Sequence, residues 1–86
     1  MKTKVLGTEA ACGTSTTNGA NFGSTVVRLY NSGSTDRLVT VETSANVTIG
    51  TFTLKAGTVE FVHKDASDEI FAAHAEVLGV GVALTT

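Results

Sequence analysis

Apolar and polar residues alternate with a period of two along most of this chain, and the clearest case is residues 47–72, VTIGTFTLKAGTVEFVHKDASDEIFA. Period two places alternate side chains on opposite faces of a strand. Two such runs, Val47 to Leu54 and Thr58 to Lys64, flank Lys55-Ala56-Gly57, and an acidic corner from Asp65 to Asp68 follows. The spacing predicts a β-hairpin turning at Gly57, where glycine can supply a positive φ. Inside the first run the phase slips. Val47 and Ile49 are odd-numbered, whereas Phe52 and Leu54 are even. A straight strand would send the two pairs to opposite faces, so a β-bulge or bend is expected near Gly50-Thr51.

The same reading extends to the rest of the chain. Thr3 to Leu6 is a first short strand. Gly7 to Gly23 is small, polar and glycine-rich, and reads as a long loop or an N-terminal arm, with a short strand near Ala10–Thr14 and Phe22 anchoring its end. Ser24 to Asn31 is a strand with Val27 and Leu29 on one face and Val26, Arg28 and Tyr30 on the other. Apolar groups on both faces make it central rather than an edge. After a turn at 31–36, Arg37 to Thr43 places Val39 and Val41 inward and Leu38, Thr40 and Glu42 outward. In the 58–64 run Val59, Phe61 and His63 share one face, and Glu60, Val62 and Lys64 the other. Glu69 to Ala72 is a short strand or a single helical turn with Ile70 inward. Val77 to Leu84 closes the chain: Leu78, Val80, Val82 and Leu84 form one face, and Gly79, Gly81 and Ala83 a nearly bare one. Glycines inside a strand imply that something comes close, either the chain's own core or a docking partner. The expected fold is all-β: a small antiparallel β-sandwich or flattened barrel of about 6–8 strands. The 86 residues form a single β domain, with 1–23 as the arm or long loop and 24–84 as the β core.

Composition supports that class. The chain has 15 threonines, many beside valine, and no proline, so its turns must use Gly, Asn, Asp and Ser. A net charge of −2 provides no basic excess to neutralise phosphates, which argues against nucleic acid. No apolar run is long enough for a membrane helix, and no apolar stretch precedes Ala10-Ala11-Cys12 to make a secretory signal or lipobox. The single cysteine, Cys12, cannot form an internal disulfide and reads as a small half-buried thiol.

Candidate chemistry is sparse. His63 and His74 lack metal-ligand spacing. Asp65, Asp68 and Glu69 suit turn capping better than a calcium loop, which needs more oxygen ligands and a glycine at its tight turn. Gly13 to Gly19, GTSTTNG, lacks the lysine ending of a phosphate loop, and no serine sits in a nucleophile elbow. Asn46-Val47-Thr48 fits a glycosylation sequon but reads as a turn. Arg28 and Tyr30 cover a sheet surface or contact a partner. No catalytic, cofactor-binding or metal residues are assigned, and no enzyme activity or cofactor is expected.

One ordered series of segments is familiar: Thr25-Val-Val-Arg-Leu-Tyr-Asn31, Leu38-Val-Thr-Val41, Ile49-Gly-Thr-Phe-Thr-Leu54, Ala56-Gly57, Val59-Glu-Phe-Val-His-Lys-Asp65, Asp68-Glu-Ile70, and Val77-Leu78 with Val80 to Ala83. Across roughly residues 24–84 the chain resembles small β-rich proteins of tailed bacteriophages of marine bacteria, including phages of cyanobacteria. That pattern often has proline before the hairpin glycine and in the acidic corner, where this chain has Ala56 and Ala66-Ser67. The resemblance implies a virion structural protein that decorates or cements the capsid. Its partner would be the major capsid protein or another virion protein, with a homo-oligomer compatible, and its place would be the virion after synthesis in the host cytoplasm. An adhesion or glycan-binding β module, associated with a fibre or tail, is the alternative.

Overall fold

The computed structural model describes residues 2–85, with side chains from Lys2 to Leu84. Eight strands form two antiparallel sheets: β1 (Lys2–Val5), β2 (Ala10–Ala11), β3 (Val26–Asn31), β4 (Arg37–Glu42), β5 (Thr48–Leu54), β6 (Val59–His63), β7 (Glu69–Ala72) and β8 (Val77–Thr85). The larger sheet runs β1-β8-β3-β6, with β2 also paired to β8; the smaller runs β5-β4-β7. Stacked face to face, they make the expected β-sandwich. The core between them holds Val27 and Leu29 of β3, Val39 of β4, Leu54 of β5, Ile70 and Ala72 of β7, and Val77 of β8. Cys12 joins them from the N-terminal segment. The core residues of β3, β4 and β7 share the inward faces that period-two alternation assigns to those strands, while Val77 enters the core from the glycine side of β8. As expected, β3 is central, flanked by β8 and β6.

One feature differs from the sequence expectation in how the turns connect. Residues 47–72 do not form a hairpin: β5 and β6 lie in different sheets, and Lys55–Thr58 carries the chain across the sandwich. Gly57 does take a positive φ of 73°. The reversal is therefore legible in sequence, but glycine in a turn does not say whether the returning strand pairs or crosses. Among the described strands, consecutive pairing occurs once, at β4–β5. The expected bulge is present. Val41 pairs with Gly50 and Glu42 with Thr48, leaving Ile49 as the extra residue, one position earlier than anticipated. It does not bury the preceding residues, because Val47 and Ile49 remain exposed.

The N-terminal segment is woven into both sheets. β1 and β2 pair with β8, and Cys12 N–H donates to Val77 O at 3.0 Å. Gly13 and Ala20 bridge to β7 along its otherwise open edge. Between them the chain folds over β4, and this reverses one expectation. Glu42, on the outward face, is fully buried: Thr16 Oγ1 donates to its Oε2 at 2.6 Å, while Gly19 packs against it. The bare face of β8 also proves to be interior. A Cβ at Gly79 would lie 2.6 Å from the Phe22 ring, and one at Gly81 would lie 2.8 Å from Ser24 Cβ. Phe22 holds a positive φ of 57°, a conformation costing on the order of 1–3 kcal/mol for a bulky residue. Its half-buried ring fills the space the glycines leave and packs on the core, as its anchoring role requires.

Candidate interaction surface

The residues considered for chemistry are not brought together. Cys12 is buried and its thiol is pushed up to about 12 by that burial, which makes it unreactive near neutrality. His63 lies on the outer face of β6, and His74 accepts the Glu76 N–H at 3.1 Å in the turn before β8. Among the described residues, no group of three His, Cys, Asp or Glu side chains is placed to hold a metal. The acidic corner caps its own turn: Asp68 Oδ2 accepts the Asp65 N–H at 3.1 Å. Lys64 reaches inward instead, its Nζ donating to Ser24 O at 2.9 Å and Asp65 O at 3.1 Å. Burial lowers the Lys64 pKa, against the opposing pull of Asp68 and Asp65. The Ser24 contact makes Lys64 a structural tie between the end of β6 and the start of β3, and the Asp65 contact holds it to its own turn.

What the fold does assemble is a broad apolar face on the outside of the larger sheet. Registers place Val5, Val82, Val26 and His63 in one row, then Val80, Arg28 and Phe61, then Leu78, Tyr30 and Val59. Val80 and Val82 are buried beneath their neighbours. Val5 is 59% exposed, Phe61 43%, Val59 38% and Leu84 37%. One ion pair lies on this face, Arg28 Nη1 to Glu9 Oε2 at 3.1 Å. It joins β3 to the loop between β1 and β2 across β8. The exposed apolar groups lie toward the two edges of the sheet, Val5 on β1 and Val59 and Phe61 on β6, with the Arg28–Glu9 pair between them; exposed apolar surface of this kind is where proteins commonly dock.

Beside this face the sandwich is open where β5 and β6 run along its edge. A groove of about 540 Å³ lies between them, lined chiefly by Val41, Ile49, Phe52, Phe61, Val62 and His63. Phe61 belongs to both the groove and the outer face. The sequence carried part of this signal in the apolar groups on both faces of β3. The contributions of Val5 and Leu84 were hidden, because they depend on β1 pairing with the far end of β8. Comparisons with family models, curated proteins and solved structures find no match to this chain.

Proposed function

We propose that this chain is a non-enzymatic virion structural protein of the tailed-phage type, a capsid decoration protein that docks on the major capsid protein lattice. The observation that carries this reading is the outer face of the larger sheet, where Val5, Val59, Phe61 and Leu84 are exposed around the Arg28–Glu9 ion pair. Such a face suits a flat protein surface better than a small substrate. The resemblance of residues 24–84 to small phage proteins supplies the kind of partner. A lattice offers many equivalent sites, and binding there would stabilise a domain with a small core.

The test is to purify particles and measure the chain's copy number, then add Val5→Lys or Phe61→Lys protein to particles that lack it. Stoichiometric binding by the native chain, lost in both variants while their folding persists, is the expected result. The groove favours a second reading, an adhesion or glycan-binding module, since Phe61 and Phe52 there sit near Glu60 and His63. Oligosaccharide binding abolished by Phe61→Ala, without particle binding, would select it.

A further inference from the structure

We infer that the free edge of β5 is a self-association edge, built to pair antiparallel with β5 of a second copy of this chain. An unpaired strand edge offers a row of N–H and C=O groups to any other strand, and proteins normally guard such edges. Here the other edges are guarded. β1 carries Lys2 and Lys4, and β6 carries Glu60 and His63. β7 is covered by Gly13 and Ala20. β5, Thr48-Ile-Gly-Thr-Phe-Thr-Leu54, has no charge and no proline, and no charge occurs from Thr43 to Leu54. The Ile49 bulge ends the straight part of the strand but leaves Gly50 to Leu54 in regular pairing with β4.

A second copy fits this edge because the strand is self-complementary. Antiparallel pairing near its midpoint keeps threonines opposite threonines on the outer face, using Thr51 and Thr53. On the inner face Gly50, Phe52 and Leu54 meet one another, and neither row brings like charges together. Pairing by a two-fold axis uses both edges and stops at two chains, whereas an open-ended contact would build fibres. It joins two three-stranded sheets into one of six strands along the rim of the apolar groove. The outer face of the larger sheet is left free, so the inference is independent of what that face binds.

The experiment is analytical ultracentrifugation of the intact chain over a range of concentrations, without any particle or partner. A reversible species of twice 8.8 kDa is expected. Thr51→Lys and Thr53→Lys each place like charges across the axis and should give monomers, with strand content and melting temperature retained. Val5→Lys, on the far sheet edge, should leave the dimer intact. Amide exchange at Gly50 to Leu54 should slow as concentration rises. A monomer at millimolar concentration, open-ended polymers, or a dimer untouched by both lysine variants would overturn the inference. So would strand pairing found only with a different protein.

Discussion

Asn31 shows how much a single polar residue can organise in a domain with so small a core. Its side chain is fully buried and fully satisfied. Nδ2 donates to Thr35 O at 2.8 Å and to Leu54 O at 3.0 Å, and Oδ1 accepts the Gly33 N–H at 3.0 Å. One amide thus ties the end of β3 to the next turn and to the end of β5 in the opposite sheet. Asn31→Ala leaves two carbonyls and an N–H without that partner, and should cost about 2–4 kcal/mol in urea unfolding. An unchanged midpoint would show that water takes over these bonds. In the sequence Asn31 looks like any turn-opening asparagine, because its partners are remote and set by the stacking of the sheets. Glu42 was illegible for a related reason. Its outward face follows from alternation, but its burial depends on residues 13–20 folding over it.

At the scale of the element, the glycines of β8 and β5 separate two reasons for a bare position. Gly79 faces the Phe22 ring and Leu29, and an added methyl would overlap both. Nothing lies within 4 Å of a Cβ at Gly50, and Gly50 is not in the left-handed region. Gly79→Ala should therefore destabilise by about 1–3 kcal/mol through overpacking. Gly50→Ala should be neutral or stabilise by roughly 0.5 kcal/mol as strand entropy improves. Equal losses at both would mean that backbone freedom, rather than packing, selects glycine in β8.

A second element-scale prediction concerns the turn between β3 and β4. Glu76, just before β8, accepts a hydrogen bond from Arg37 Nε, and its carboxylate rests against Gly33. That bond holds the Glu76 carboxyl below its ordinary 4.5, outweighing the opposite effect of burial. Because the folded value is the lower one, the stabilisation is present above pH 4.5 and is lost as pH falls through the depressed value. Melting temperature should fall more steeply with acid for the native chain than for Glu76→Gln. Parallel curves would remove Glu76 from the acid response. The main strands, and the facing of β3 and β4, were legible because alternation is local, whereas the inward side of β8 was not, because its glycines and not its row of large apolar residues face the core. Whether a turn such as Lys55–Thr58 pairs its strands or crosses between sheets was not, since that depends on which edges are already taken.

At the scale of the whole molecule, a sandwich followed from counting strands, and the place of the first 23 residues did not. Beyond the short strand expected at Thr3–Leu6, residues 7–23 read as a long loop or an arm because they are polar and rich in glycine. The strands of this N-terminal segment, however, owe their stability to β8 and β7 rather than to their own pattern. This matters for function, since β1 supplies Val5 to the exposed face and residues 13–20 close an edge of the smaller sheet. The resulting molecule has a closed interior, apolar groups on the outer face of the larger sheet and an uncharged edge at β5, and the proposals above rest on these two surfaces. Cryo-electron microscopy of purified particles tests this most directly. Stoichiometric density for the sandwich on the capsid lattice, with Val5, Phe61 and Leu84 turned toward the capsid, is the result expected. Density confined to tail tips, or no copies in the particle, would contradict it.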